Sequence, residues 1–478
     1  MYKTAAVVFL TFLLCISSQI LPADQPDQDQ QVFARRRAQL MTQMGSGIAV
    51  FRSPQSAKIT SFGTSFRQSS NIYYLTGMEE PESALILIPG KPNRFILFIQ
   101  EKNLWREMWN GKMVGTSGAK RKYGADLAFP LKDMQKKMER YLWGKNPLYC
   151  DFGNKNLLQE LISELPRLRE GQMKIIDIAP MIHEMRIIKT EKEIALMEKA
   201  ARITADALVE SMKATRPGMV EYQIEGIINY VYQKNGCKRP GFRSIVASGP
   251  NAAIMHYTDN NRKMVRGDLL LMDIGAEYGY YGADVTRTIP VSGTFNKEQK
   301  KIYGIVLEAQ KKGIQSVAPG KGIQEVIEIS NNILKEGLFR LGLITDKQSR
   351  WQAILWLKYL QSSHWLGLDT HDVGDYRWRD KRGRILESGM VLTIEPGIYI
   401  GENDLTNLPK LLKGRVKAEE LQSFIKKVRP AFERYKNISI RIEDDILVTK
   451  KGCRVLSKDA PKEIKDVEKI MARKSRFK

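Results

Sequence analysis

Four acidic residues in the second half of the chain lie within or directly after apolar, strand-like segments. Asp273 and Glu395 each end a largely apolar run, and Glu443 lies in the sequence Ile-Arg-Ile-Glu. Asp284 follows Asp273 by eleven residues, across a turn rich in glycine and tyrosine. Because burying an unpaired carboxylate is costly, the fold must bring compensating positive charge to each of these acids.

The spacing of these acids predicts how they meet. Eleven residues suit a hairpin that places Asp273 and Asp284 at one site. Arg441 lies two residues from Glu443 on the same strand face, where it can orient or screen that carboxylate. Either each acid pairs with its own lysine or arginine in a structural network, or two divalent cations neutralise all of them together. The second explanation is favoured because the acids occur with a histidine in an unusual sequence context.

The chain has only four histidines. Three of them, His256, His364 and His371, lie in segments dense with acidic, glycine and aromatic residues, whereas His183 is interpreted as structural. One imidazole with four carboxylates is a hard ligand set that suits Mn²⁺ or Fe²⁺, with Co²⁺ or Zn²⁺ as possible substitutes. The residues alone therefore predict a site for two divalent cations.

The length of 478 residues favours two domains. An N-terminal domain is predicted at 24–182, with short helices alternating with strands and a hairpin at 84–88 and 95–99. A second domain is predicted at 183–478, where Thr190–Glu193 forms a capping box that opens a helix to about residue 214. Its other predicted elements are helices at 221–234, 297–317 and 324–341, and strands at 244–247, 269–276, 282–289, 390–394 and 438–448. Helices with a largely antiparallel sheet indicate an α+β domain.

The N-terminus resembles a secretory leader. Lys3 precedes the apolar run Ala5–Leu14, and Ala23 offers a small residue for cleavage. Residues 1–23 are therefore predicted to be a signal peptide, with the mature protein exported to a periplasm or secreted. An uncleaved membrane anchor is the alternative. The four cysteines contain no CxxC pair and indicate neither a disulfide framework nor a zinc ribbon.

The net charge of +23 raises the question of nucleic-acid binding. The basic residues are dispersed through helical segments with interleaved acids, as in Lys189–Lys199, and the densest basic run is the C-terminal tail at 473–478. This pattern favours a solvated basic surface, so no nucleic-acid partner is expected.

Several segments resemble the aminopeptidase P family of the pita-bread metallopeptidase superfamily, and they occur in that family's order. They are Phe66–Gly77, Trp109–Gly111, Ser244–Ile289, His364–Asp372, Glu395–Tyr399 and Arg441–Asp445. The similarity extends from about residue 33 to about residue 460, so it covers both predicted domains.

The resemblance implies a fold and a set of site residues. It implies an α+β protein in which a pita-bread catalytic domain follows a smaller α/β domain of the creatinase and aminopeptidase P type. The implied metal ligands are Asp273, Asp284, His364, Glu395 and Glu443, with Asp284 and Glu443 bridging two ions, and Mn²⁺ is the expected metal. The implied catalytic residues are His256, His371, Glu395 and Arg441, and the implied substrate-binding residues are His256, His371 and Tyr399.

The implied activity is removal of the N-terminal residue from peptides whose second residue is proline. Proline has no amide hydrogen and a fixed backbone, which explains why such bonds need a dedicated enzyme. The resemblance also suggests a homo-oligomer, a dimer or a tetramer. Alternatives are a prolidase that cleaves Xaa-Pro dipeptides, a non-catalytic pita-bread binding protein, and a creatinase-like amidinohydrolase, although the last two should lack this metal set.

Three departures from the family pattern concern the surroundings of the site. Leu360 stands where a histidine is expected four residues before His364, which bears on the pocket beyond the scissile bond. Residues 402–437 are longer than usual and contain a predicted helix at 418–428, which could cover the site or mediate assembly. Ser69 stands where an aspartate is common, and is interpreted as a surface or interface change.

Overall fold

A computed structural model describes residues 30–54, 66–376 and 381–477. The predicted signal peptide at 1–23 lies outside these residues. Within the described part of the chain, no helix combines the length and the apolar character needed to cross a membrane.

The N-terminal domain is a six-stranded mixed sheet with helices on both faces. Its strands are β1 (Ile48–Arg52), β2 (Ala84–Ile88), β3 (Arg94–Ile99), β4 (Leu127–Pro130), β5 (Leu148–Cys150) and β6 (Ile175–Asp177), in the order β4-β3-β2-β1-β5-β6. Its helices are α1 (Gln30–Met44), α2 (Ser70–Thr76), α3 (Leu104–Asn110), α4 (Gly115–Tyr123), α5 (Met134–Leu142), α6 (Lys155–Glu164), α7 (Pro166–Arg169) and α8 (Ala179–Ile187). The predicted hairpin is confirmed as antiparallel β2 and β3. These strands are buried on both faces, which explains their continuous apolar sequence.

The second domain combines long helices with small, mainly antiparallel sheets. Its helices are α9 (Glu191–Ala214), α10 (Glu221–Lys234), α11 (Lys297–Ser316), α12 (Ile323–Arg340), α13 (Arg350–Leu357), α14 (Asp404–Leu411), α15 (Ala418–Tyr435) and α16 (Ile464–Met471). Its strands are β7 (Arg239–Pro240), β8 (Ile245–Ser248), β9 (Leu269–Ile274), β10 (Ala276–Tyr278), β11 (Tyr281–Gly282), β12 (Val285–Pro290), β13 (Val391–Ile394), β14 (Gly397–Tyr399), β15 (Ser439–Arg441), β16 (Asp444–Val448) and β17 (Cys453–Val455). The α+β prediction is confirmed.

Two of the predicted strands are interrupted, at Asp284 and at Glu443, which lie outside the strand pairing. The strand predicted at 438–448 is two strands, β15 and β16, separated by Ile442 and Glu443. There the Glu443 amide donates to the Thr286 carbonyl at 3.1 Å, so the break turns Glu443 toward β12. The segment predicted at 282–289 likewise divides into β11 and β12, and Asp284 lies in the gap.

The helix predicted at 418–428 is longer than expected, because α15 continues through Pro430 to Tyr435. Its apolar side chains at helical spacing are buried on one face and pack against α13, where Phe424 meets Trp351 and Phe432 meets Trp356. Proline removes one helical hydrogen bond, but burial of this face on both sides of Pro430 keeps the helix continuous. The 402–437 insertion is therefore part of the core of the second domain.

The two domains meet around α8 and a tight hairpin. The boundary predicted between 182 and 183 falls inside α8, and the chain leaves the helical conformation only between α8 and Thr190, which caps α9. In the β10–β11 hairpin, Gly279 and Tyr280 both have positive φ, the geometry of a tight two-residue turn. The Tyr280 ring stacks on Tyr73 of the N-terminal domain, with centroids 3.6 Å apart.

Candidate metal centre

Antiparallel pairing of β9 with β12 brings the first two acids together. Asp273 lies opposite Thr286 in this ladder, and Asp284 lies just before β12. The Asp284 amide donates to the Asp445 carboxylate at 3.1 Å, which fixes the backbone at the strand entrance. The hairpin predicted from the eleven-residue spacing therefore places both carboxylates at one site, with the short β10–β11 hairpin at its tip.

His364 is held beside the end of β13. The Thr393 amide donates to the His364 carbonyl at 2.9 Å, and the Glu395 amide donates to the Ser362 carbonyl at 3.1 Å. The His364 ring has its Nδ1 3.0 Å from the Trp365 carbonyl. Nδ1 must carry the hydrogen in that contact, which leaves the Nε2 lone pair available as a metal ligand.

The Nε2 atom of His364 faces three carboxylates. It lies 3.3 Å from Asp284 Oδ2, 3.7 Å from Glu395 Oε1 and 3.9 Å from Glu443 Oε1. One ligand atom from each of Asp284, His364 and Glu443 can be chosen so that all lie within 4.8 Å of one another. Asp273 flanks this group and is held by Arg441, while Glu395 is held by Tyr359. The structure thus brings all five predicted ligands to one place, three of them in a compact group.

The electrostatics of the group call for positive charge. Burial raises the pKa of Asp284 well above its usual range, and the neighbouring Asp273 raises it further. Burial also raises the pKa of Glu443 well above normal, with Asp284 as the next cause. Burial raises the pKa of Glu395, although His364 and Arg441 oppose the shift. Divalent cations among these acids would oppose the rise in their pKa values and favour the carboxylate form.

Two oxygen atoms in this group lack hydrogen-bond partners. Oδ1 of Asp273 and Oδ1 of Asp284 are buried and accept no hydrogen bond from any residue that the structure describes. A buried, unpartnered carboxylate oxygen is uncommon because its desolvation is uncompensated. Oxygen donors with one imidazole nitrogen match divalent cations such as Mn²⁺, so the residues present fit a metal centre.

Arg441 acts on the acids differently from the sequence prediction. Its guanidinium bonds Asp273, donates to Thr286 Oγ1 at 3.0 Å and donates to the Tyr399 hydroxyl at 2.8 Å. Its Nε is 3.9 Å from Glu443, too far for a hydrogen bond, and Thr286 supplies the link by donating to Glu443 at 2.6 Å. The strand is broken between the two residues, so Arg441 screens Glu443 across 3.9 Å, and hydrogen bonds connect them through Thr286.

Tyr399 does not occupy the position predicted for a substrate contact. It has no exposed surface, and its hydroxyl accepts the bond from Arg441. Tyr399 therefore orients Arg441 from within the core. Arg441 is also buried, with 3% of its surface exposed, so it acts on the ligand set and not on a peptide.

His256 and His371 lie on the solvent side of the ligand group. Both side chains are exposed, and the His371 ring packs edge-on against His364 with centroids 4.4 Å apart. Partial desolvation lowers the pKa of His371, and the nearby His364 and His256 lower it further. This shift favours the neutral imidazole, which can donate one hydrogen bond and accept another. His183 lies on α8, apart from this group.

A buried ion network connects the histidine segment to the N-terminal domain. Asp372 accepts from Arg186 at 2.5 Å and from Lys189 at 3.1 Å. Asp369 accepts from Arg186 at 2.8 Å and from the Ser70 hydroxyl at 2.7 Å. Arg186, Lys189 and Ser70 thus hold Asp369 and Asp372, the two acids that flank His371 in the sequence.

Comparison with known proteins agrees with this geometry. The model of metallopeptidase family M24 matches residues 195–450, and the model of the aminopeptidase P N-terminal domain matches residues 33–149. This chain belongs to metallopeptidase family M24. Its fold is the pita-bread fold with an aminopeptidase P-type N-terminal domain, as predicted.

Relatives from bacteria and animals cover nearly the whole chain. An Xaa-Pro aminopeptidase of Escherichia coli is 36% identical over 92% of this chain and 98% of its own length. Xaa-Pro aminopeptidase 3 of Mus musculus is 30% identical over 94% of this chain and 87% of its own length. The solved structure of Pseudomonas aeruginosa aminopeptidase PepP superposes with a TM-score of 0.82 at 34% identity, covering 93% of this chain and 98% of that one.

Two residues of this M24 site were not predicted from the sequence. Tyr359 donates to Glu395 Oε2 at 2.5 Å, and Asp445 holds the Asp284 amide. Burial raises the pKa of Tyr359 well above normal, and Glu395 adds to the shift, so its hydroxyl keeps its hydrogen. Asp445 could have been found as a third acid in the Glu443–Asp445 run of an apolar strand. Tyr359 carried no recognisable signal.

Metal binding should stabilise this M24 protein more strongly as pH rises. The raised pKa values of Asp284, Glu443 and Glu395 mean that these three acids favour the metal-free fold most below their unfolded pKa values, where they are protonated. This contribution to stability is lost as pH rises through the folded values, whereas metal binding requires the carboxylates. The increase in Tm on adding Mn²⁺ to chelator-treated protein should therefore be larger at about pH 8 than at about pH 5. Equal increases at both pH values, measured by scanning calorimetry, would contradict this assignment.

Proposed function

We propose that this protein is an Xaa-Pro aminopeptidase that hydrolyses the first peptide bond of peptides with proline in the second position. The observation that carries the proposal is the group of three carboxylates around His364 Nε2, with two further imidazoles on its solvent side. The full-length similarity to Xaa-Pro aminopeptidases supports it, because both domains are matched. A non-catalytic binding protein of this fold would not need to retain all five ligand positions.

The metals that we propose are two divalent cations, with Mn²⁺ preferred. Four carboxylates and one imidazole favour Mn²⁺ over metals that seek sulfur ligands. The residues that would hold the ions are Asp273, Asp284, His364, Glu395 and Glu443. Divalent cations in such a site lower the pKa of a coordinated water toward neutrality and polarise the scissile carbonyl.

The protein's own side chains would handle the proton and the substrate. Glu395 turns one carboxylate oxygen toward the ligand group, where it can take a proton from the attacking water and pass it to the departing proline nitrogen. His256 and His371 are exposed beside the group and can donate hydrogen bonds to the developing oxyanion or to the proline-side carbonyl. The peptide's terminal ammonium would be attracted to the acids, which sets the exopeptidase register.

Product analysis on short peptides tests the proposal. The Mn²⁺-loaded protein should release the first residue from Arg-Pro-Pro, and release should stop with chelator and in His364→Ala. A proline-free tripeptide should be cleaved at least about tenfold more slowly, since pocket discrimination of about 1–3 kcal/mol corresponds to about 10–200-fold. Products are resolved by liquid chromatography and mass spectrometry.

Other outcomes identify the alternatives. Cleavage of Ala-Pro without cleavage of Arg-Pro-Pro would make the protein a prolidase. Two bound metals without turnover of either peptide would reject the aminopeptidase function and favour a binding role. Loss of activity in His364→Ala together with loss of the folded state would call for the milder His364→Gln in its place.

We also propose that the protein assembles with copies of itself and is exported. Helix α3 presents Leu104, Trp105, Met108 and Trp109 to solvent, each at least 69% exposed. An exposed apolar cluster of this kind is typical of an interaction surface, which supports a dimer or a tetramer. Export rests on the leader sequence at 1–23.

A further inference from the structure

Tyr359 contacts Glu395 from the segment that precedes the metal histidine. We propose that Tyr359 is a positioning residue for Glu395: its hydroxyl holds one carboxylate oxygen so that the other faces the metal ligands. The inference rests on the proposed function, because Glu395 is there both a ligand and the proton acceptor. It adds a residue that neither the motifs nor the ligand set identifies.

The geometry divides the two oxygens of Glu395 between two tasks. Tyr359 Oη donates to Oε2 at 2.5 Å, while Oε1 lies 3.7 Å from His364 Nε2. Hydrogen bonds from a hydroxyl to a carboxylate are short and strong, so this contact fixes the rotation of the carboxylate plane. The Tyr359 ring packs against the buried cluster that contains Tyr399, which limits the ring to one orientation.

The backbone conformation at Lys358 sets the direction of the Tyr359 side chain. Helix α13 ends at Leu357, and Lys358 follows with φ of 62°, a conformation that non-glycine residues rarely adopt. Such outliers persist where the surroundings hold them and often lie at functional sites. Lys358 is held by an ion pair of 2.8 Å with Asp404, whose carboxylate also accepts from the Gly401 amide. The start of the 402–437 insertion thus fixes the turn that directs Tyr359.

The next residue brings no polar side chain to the site. Leu360 is partly buried against the main hydrophobic core of the second domain. Its carbonyl accepts from Asn331 Nδ2 at 2.8 Å, which holds the segment in place. The side chain from this segment that bonds the Glu395 carboxylate is that of Tyr359, whereas the Ser362 carbonyl holds the Glu395 amide.

Tyr359→Phe tests the inference because it keeps the ring and removes only the donor. Loss of a hydrogen-bond partner behind a metal ligand typically costs about 10–100-fold in metal affinity or activity. We expect kcat on Arg-Pro-Pro to fall by about that factor, with KM changed by less than about twofold because the hydroxyl does not contact substrate. Isothermal titration should show Mn²⁺ bound at least about tenfold more weakly.

Tyr149→Phe is the matched control. Tyr149 is a buried tyrosine of the N-terminal domain whose hydroxyl donates to the Met44 carbonyl at 3.1 Å. Its variant should keep wild-type kcat and Mn²⁺ affinity, whatever its Tm. If Tyr359→Phe keeps both values as well, the inference is overturned. If the wild-type protein cleaves no Xaa-Pro peptide, the proposed function fails, and the Mn²⁺ titrations alone still decide the role of Tyr359.

Discussion

Asp284→Asn should abolish peptide hydrolysis while making the metal-free protein more thermostable. Asp284 offers Oδ2 to the cluster at 3.3 Å from His364 Nε2, and its Oδ1 is buried with no hydrogen-bond partner among the described residues. An amide would be a much weaker ligand than the carboxylate for a divalent cation held here, so kcat/KM should fall at least about 10³-fold, which corresponds to about 4 kcal/mol of activation free energy. In chelator-treated protein the same change removes the cost of burying or protonating this carboxyl group at neutral pH, so the Tm should rise.

Asp268→Asn separates this effect from the ordinary loss of a carboxylate. Asp268 lies just before β9 and accepts from Arg262 at 2.6 Å, outside the ligand group. Its variant should lower the Tm with or without metal and keep the activity. Peptide assays and scanning calorimetry, with and without Mn²⁺, distinguish the two. A lower Tm for metal-free Asp284→Asn would mean that Asp284 is stabilised without a cation, and the proposed metal centre would lose its electrostatic basis.

The elements that were predicted well are those whose signals are local. Both hydrogen bonds of the predicted capping box at Thr190–Glu193 are present. The Glu193 amide donates to the Thr190 hydroxyl, and the Thr190 amide donates to Glu193 Oε2 at 2.8 Å. Helix α10 begins and ends where the apolar periodicity and the following glycine indicate. The acids were recognised because a charge inside an apolar strand is costly unless the fold compensates it, and that cost is visible in the sequence.

The contacts that escaped prediction depend on chain segments that are distant in sequence. Arg441 makes its direct hydrogen bond to Asp273, a residue on a different sheet, and lies 3.9 Å from Glu443 two positions away. An argument from strand periodicity assumes an unbroken strand. It therefore cannot predict where the backbone leaves the strand pairing and turns a side chain toward another element. The Tyr359 contact depends on one positive φ at Lys358, which no local pattern indicates.

Helix α15 differs from its prediction in length. The helix was predicted at 418–428, yet it continues through Pro430 to Tyr435. The cost of a proline inside a helix is about 3 kcal/mol, whereas burying an aromatic side chain contributes about 1.5–3 kcal/mol. Phe432 and Tyr435, both buried beyond the proline, together offset the broken hydrogen bond.

Arg186→Met should destabilise the fold by about 3–5 kcal/mol, the typical cost of removing one partner from a buried ion pair. Arg186 is 3% exposed and bonds Asp372 at 2.5 Å, Asp369 at 2.8 Å and the Asn71 amide oxygen at 2.7 Å. Its loss leaves the buried Asp372 with Lys189 as its remaining cationic partner. Because this network anchors the His371 segment, kcat/KM should also fall. Thermal unfolding and urea titration measure the loss of stability.

The pH dependence of that loss identifies Asp372 as its cause. Burial alone would raise the pKa of Asp372, but Lys189 and Arg186 overcome it and hold the pKa below its usual value. The stability that this depressed pKa provides is present above the unfolded value of about 3.9 and is lost as pH falls through the folded value. In Arg186→Met the pKa of Asp372 should rise, so the loss of stability should be greatest near neutral pH and shrink toward about pH 4.

Two further variants serve as comparisons. Adding Asp372→Asn to Arg186→Met should recover part of the stability. Arg52→Met, which breaks a partly exposed pair with Glu160, should cost less than about 1 kcal/mol. A penalty for Arg186→Met no larger than that of Arg52→Met, or one independent of pH, would show that the network does not hold the histidine segment.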